Sequence, residues 1–147
     1  MSHVSALYHI VFNTFQRDMT LNEEHSNDMY RYIWKMLENR GCVLYRINGT
    51  ANHIHMLIDL KPTLALSKLV GEVKQATSEW ARISGLFPLW HGWGHEYAAF
   101  SVSYHSKDVV IDYIKSQRTH HATTTYEEEL KRLSTMQGLG WNDLWLT

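Results

Sequence analysis

Apolar and polar residues alternate with a period of two from Ala51 to Leu60. Ile54, Met56, Ile58 and Leu60 share one face, and His53, His55, Leu57 and Asp59 share the other. A period of two predicts a β-strand with one core face. Its two imidazoles are expected on the opposite face, side by side and open to an ion and a substrate. Other segments carry the same kind of signal. Ser5 to Phe15 and Cys42 to Ile47 read as strands, and Tyr97 to Ser103 as another. Met29, Ile33, Met36 and Leu37 recur at helical spacing within Asn22 to Arg40, and Gly41 follows as a C-cap.

Asn48-Gly49 predicts the turn of a hairpin leading into the histidine strand. Thr63 is a candidate N-cap for a second helix, whose stripe is Leu66, Leu69, Val70, Val73, Ala76 and Trp80, ending near Ser84-Gly85. Ser106 is expected to cap a last helix running from Lys107 to about His121. The order β-α-β-β-α-β plus one helix predicts an α+β, ferredoxin-like antiparallel sheet with an added C-terminal helix. Both core helices would then cover one sheet face, leaving the histidine face for later elements. The tail after Ala122 holds an amphipathic piece, Tyr126 to Leu133, then Trp141 and Trp145, expected to pack on the domain or a partner.

Length and composition narrow this picture. The 147 residues suit one domain, 1–147, with tail 123–147. Apolar content of 44% is ordinary, and no stretch approaches the ~20 apolar residues of a membrane span. The N-terminus lacks the pattern of a signal peptide, and a single cysteine, Cys42, cannot form an internal disulfide. A cytoplasmic protein is the expectation. A formal net charge of −1 argues against reliance on nonspecific attraction to long duplex DNA, while leaving room for a local basic patch. Ten histidines direct attention to metal or acid–base chemistry.

Two imidazoles on a rigid strand suit a divalent ion. The last helix offers partners, since Tyr113 and Gln117 are four residues apart and share a helical face, with His120 and His121 just beyond. Laid across the open sheet face, that helix would present Tyr113 and Gln117 to the histidines. Read as residues alone, the same pattern also describes surface histidines beside an ordinary amphipathic helix.

The combination resembles the single-tyrosine HUH transposases of insertion sequences that move as single-stranded DNA, the IS200-like transposases. Asn52-His53-Ile54-His55-Met56-Leu57 is similar to the family's metal strand, and Tyr113-Ile114, Gln117 and His120-His121 to its nucleophile helix. Tyr8-His9-Ile10-Val11-Phe12 and Phe100-Ser101-Val102-Ser103 add matches. Two places depart from the pattern: Phe15-Gln16-Arg17-Asp18 replaces a basic cluster, and the Trp90–Gly94 loop is individual to this chain.

The resemblance implies that Tyr113 is the nucleophile and that His53, His55 and Gln117 hold Mg²⁺ or Mn²⁺. It implies cleavage and rejoining of single-stranded DNA at mobile-element ends through a 5′-phosphotyrosine. It also implies hairpin recognition and a homodimer whose active sites are shared between subunits. Lys68, Lys74, Arg82, Lys107, Lys115 and Arg118, with His120 and His121, are candidate DNA contacts. Three alternatives remain: a non-catalytic single-stranded or hairpin DNA-binding module, a metal-dependent phosphodiesterase using water, and a replication or conjugation initiator. The last usually needs further domains. No general base is identifiable from the residues alone.

Overall fold

A computed structural model describes residues 2–120 and 124–139. Four strands, β1 (Leu7–Asn13), β2 (Val43–Gly49), β3 (His53–Asp59) and β4 (Ala98–Val102), form one antiparallel sheet in the order β2-β3-β1-β4. The helices are α1 (Ser26–Asn39), α2 (Leu66–Ser84), α3 (Lys107–Lys115), α4 (Gln117–His120) and α5 (Tyr126–Met136). The expected α+β order is thus the observed one. No helix among the described residues is long and apolar enough to cross a membrane.

Alternation along β1 and β3 divides the molecule into two layers. Ile10, Phe12, Ile54, Met56 and Ile58 point to one face, where Met29, Ile33 and Leu37 of α1 and Leu69, Val70 and Val73 of α2 cover them. Each fully buried aliphatic side chain there contributes about 1.5–3 kcal/mol. The Trp90–Gly94 loop closes the end of this core. Trp93 is buried against Phe12, and its indole donates to Thr77 Oγ1 at 2.9 Å.

The opposite face is covered by α3 and α5. Leu7 and Leu57 pack with Ile114, and Val11 and Phe100 pack with Tyr126 and Leu130. Between these two small apolar clusters lie His9, Asn13, His53 and His55, all buried. Thr125 starts α5 by accepting from the Glu128 amide, as a threonine N-cap should. The tail segment Tyr126 to Leu133 is therefore a helix packed on the domain, whereas Trp141 and Trp145 lie outside the described residues.

Four local expectations are corrected. Asn48-Gly49 is the end of β2, and the reversal occurs at Thr50–Asn52, with the Thr50 amide donating to the His53 carbonyl. Glycine is needed at position 49 because a Cβ would collide with that carbonyl. Thr63 does not cap α2, which begins at Leu66 after Ala65. The helix expected from Asn22 starts later: Asn22 caps a 3-10 turn (Glu23–His25), and α1 begins at Ser26. The last helix is broken at Ser116, so Gln117 opens α4 instead of continuing the tyrosine helix.

Candidate active site

β3 carries His53 and His55 on the α3/α5 side of the sheet, as the alternation requires. They are not open to solvent. Both are 0% exposed, because α5 lies over them. The expectation of an open histidine face is corrected by this helix. It buries its Tyr126 ring against His53, with centroids 4.2 Å apart, and inserts the Glu129 carboxylate beside both imidazoles.

Glu129 joins the two halves of the site. His55 Nε2 lies 2.8 Å and His53 Nε2 3.4 Å from Glu129 Oε1. The Tyr113 hydroxyl donates to Glu129 Oε2, and Gln117 Nε2 donates to the same oxygen at 3.1 Å. The structure therefore brings Tyr113, His53, His55 and Gln117 around one buried carboxylate. Arg132 of α5 approaches the Tyr113 hydroxyl at 3.4 Å from the outside. Burial, and then the carboxylate, push the Tyr113 phenol above its usual range, with Arg132 opposing. Burial likewise raises Tyr126.

Neighbouring groups set the proton positions on the imidazoles. Thr50 Oγ1 donates to Asn52 Oδ1 at 3.1 Å, and both oxygens lie within 2.9 Å of His53 Nδ1. That places the His53 proton on Nδ1 and a lone pair on Nε2, the form a metal requires. Asn52 is itself held by the turn after β1. Its Nδ2 reaches the Arg17 carbonyl at 3.4 Å, and its carbonyl accepts from the Thr14 amide at 2.9 Å. Gln16 and Arg17 in that turn both have positive φ, 54° and 59°, a strained pair beside the histidine hairpin.

His55 is supported differently. Its Nδ1 shares a 2.8 Å hydrogen bond with His9 Nε2 from the neighbouring strand β1. With Glu129 ionised, His55 donates from Nε2 and accepts from His9. A metal on Nε2 needs that lone pair, so His55 would then carry its proton on Nδ1 and donate to His9. Burial, then the adjacent His55, lower His9 to about 3, so His9 is neutral at ordinary pH.

The donor set fits a divalent ion. His53, His55 and Glu129 each offer one ligand atom, all within 4.8 Å of one another. Gln117 Oε1 is a buried carbonyl oxygen with no hydrogen-bond donor among the described residues. Imidazole nitrogen with carboxylate and amide oxygen suits Mn²⁺, Mg²⁺ or Zn²⁺. Sequence reasoning missed both Glu129 and His9 as site residues. His9 could have been found from its parity, since it shares a strand face with Val11 and Asn13. Glu129 offered only a place on an amphipathic segment.

The candidate DNA contacts are divided. Lys68, Lys74 and Arg82 lie on α2, across the sheet from the histidines. Lys74 is committed to the Gly94 and Glu96 carbonyls at 2.9 and 2.8 Å, and burial lowers it to about 8. Lys107, Lys115 and Arg118 lie on the tyrosine side. Arg118 reaches Ser26 Oγ at 3.2 Å and Glu23 at 3.8 Å. His120 ends α4, and His121 lies outside the described residues.

Residues 2–117 match the family model described as "Transposase IS200 like". No curated protein matches the chain. Solved structures share the fold, among them the following two. A candidate transposase from Deinococcus radiodurans R1 is 22% identical, with a TM-score of 0.60 over 80% of this chain and 95% of that one. A REP-associated tyrosine transposase bound to a REP hairpin is 15% identical, with a TM-score of 0.63 over 97% of this chain and 88% of that one. The family match ends at Gln117, so Glu129 and α5 lie beyond it.

Proposed function

The chain belongs to the IS200-like transposase family, and from that premise we propose that it cuts and rejoins single-stranded DNA at mobile-element ends through Tyr113. The observation that carries this reading is the convergence of Tyr113, His53, His55 and Gln117 on Glu129. The Tyr113 oxygen bonds to phosphorus while the P–O3′ bond breaks, leaving a 5′-phosphotyrosine and a 3′-hydroxyl. Covalent storage of the phosphodiester bond makes rejoining the reverse attack and removes any need for ATP. Glu129 is the group placed to take the phenol proton, a role that had no candidate in the sequence. Solvent protonates the departing 3′-oxygen.

His53, His55, Gln117 and Glu129 would hold Mg²⁺ or Mn²⁺. Such an ion supplies charge that polarises the scissile phosphate. The remaining work belongs to the chain. Asn52 and His9 orient the imidazoles, and α5 keeps water from them until DNA arrives. Since His53, His55 and Gln117 are fully buried, α5 must withdraw for a phosphate to enter.

The single domain, the cytoplasmic setting, the homodimer and the hairpin substrate belong to this proposal. A similar fold that binds a REP hairpin supports the last of these. The test is a covalent-adduct assay on denaturing gels, using single-stranded DNA spanning the element ends with Mg²⁺ or Mn²⁺. Wild type is expected to form an adduct that Tyr113→Phe and chelation each abolish. Cleavage retained by Tyr113→Phe would identify a water-using phosphodiesterase, and binding without any adduct a DNA-binding module.

A further inference from the structure

A second feature lies at the sheet edge, outside the buried site. A groove of about 430 Å³ runs between α1 and edge strand β2. Trp34 and Tyr30 supply its aromatic walls, Arg31, Arg46 and Asn27 its polar ones, and Tyr45 borders it from β2. No aspartate or glutamate lines it, although the chain as a whole carries a formal charge of −1. Trp34 is 48% exposed, a large apolar ring kept in water where the core offered burial to its helix neighbours Ile33 and Leu37. Arg31 contacts Asp28 at 3.1 Å, yet its side chain is 74% exposed.

The groove adjoins the tyrosine helix. A bulge between Leu44 and Arg46 gives Tyr45 an extra position on β2. Its ring joins the cluster of Leu57, Ile114 and Tyr113, and Lys107 Nζ, at the start of α3, sits 5.0 Å from the ring centroid. Asn48 of β2 also donates to the Lys115 carbonyl at 3.0 Å. Cations and aromatic faces thus continue round the edge strand from α1 to α3.

We propose that this groove is a subsite for unpaired deoxynucleotides of the DNA acted on at Tyr113. A base stacks on the Trp34 indole, and the adjoining phosphates lie between Arg31 and Arg46. An exposed aromatic face flanked by arginines is the chemistry that holds single strands without base pairing. A duplex buries its base faces and could not use the indole. This inference rests on the reading of the chain as a single-strand transposase.

The test uses the full chain and two hairpin oligonucleotides, one bare and one with a short mixed-sequence single-stranded flank containing 2-aminopurine. Wild type is expected to bind the flanked oligonucleotide more tightly and to quench the 2-aminopurine. Trp34→Ala should weaken flanked binding roughly tenfold, as loss of one stacked base does, and leave the bare hairpin unchanged. Trp34→Phe should recover most of the loss. Arg31→Ala with Arg46→Ala should flatten the salt dependence of flanked binding by one to two phosphate contacts.

Equal affinity of wild type and Trp34→Ala for the flanked oligonucleotide overturns the subsite. If Tyr113 adducts still form, the transposase reading survives that result. Trp34-dependent binding with no adduct supports the subsite and removes the catalytic reading. Conversion of a dimer to a monomer by Trp34→Ala, seen by light scattering without DNA, would make the groove an edge interface and overturn the subsite.

Discussion

The two faces of one sheet are built from alternate residues of the same strands, and they are equally buried. On the α1/α2 face, Ile10, Phe12, Ile54, Met56 and Ile58 belong to one large apolar cluster. On the α3/α5 face, His9, Asn13, His53 and His55 occupy the intervening positions. Apolar contacts on the first face are non-directional, and their contribution grows with area. On the second face each buried polar atom must find a partner, at a cost of about 1–3 kcal/mol where one is missing. The first face therefore stabilises the fold, and the second holds chemistry whose geometry depends on a few hydrogen bonds. Burial identifies neither role by itself.

The sharpest separation of the faces is by activity. Tyr113→Phe removes one oxygen from the second face, and the adduct on denaturing gels should vanish while thermal unfolding changes little. The converse is Ile33→Ala on the first face. It should cost about 2–5 kcal/mol in denaturant unfolding, as large-to-small core changes do, while folded protein retains metal binding.

Metal separates them next. Mn²⁺ at a hundred times its Kd should stabilise the wild type by about 2.7 kcal/mol, a gain that EDTA reverses. Glu129→Gln should shrink the gain in the unfolding midpoint, and Ile33→Ala should not. Asn52→Ala should weaken Mn²⁺ binding ten- to a hundredfold by calorimetry, because it frees the His53 ring to change tautomer.

The smallest effect is a pH slope. His9 is lowered to about 3 in the folded chain, below its ordinary value of 6.5. As pH falls below 6.5 the unfolded chain gains a proton that the folded one refuses. The associated stability is full above that pH and is lost progressively toward 3, by up to roughly 1.4 kcal/mol per pH unit. Denaturation midpoints across this range should flatten in His9→Gln if His9 is the group responsible.

The groove shows a third arrangement, in which aromatic and cationic groups remain outside. Leu44 and Ile47 of β2 both serve the first face although three positions apart, and Tyr45 serves the second, because the bulge adds one residue between them. No periodicity announces such an insertion, since it shifts the alternation by one residue.

What the chain states locally survived folding. Period two in Ala51 to Leu60 put both histidines on one strand face, and the helical stripes placed α1 and α2 on the other side. The order of elements, the termination of α2 at Gly85 and the proximity of Tyr113 to Gln117 were all legible in the residues. These features depend on covalent geometry and on short-range periodicity, which travel with the sequence. Non-local partners were not legible. Glu129 reaches His55 across 74 positions and His9 reaches it across 46, so no spacing rule connects them. The carbonyl behind Gly49 determined where the hairpin turns, and the break at Ser116 determined where Gln117 begins its own helix. Only the tertiary structure could decide that the histidine face is closed. That closure depends on α5 finding an apolar seat at Val11 and Phe100, and a buried carboxylate acceptable only where imidazole, phenol and amide all meet it.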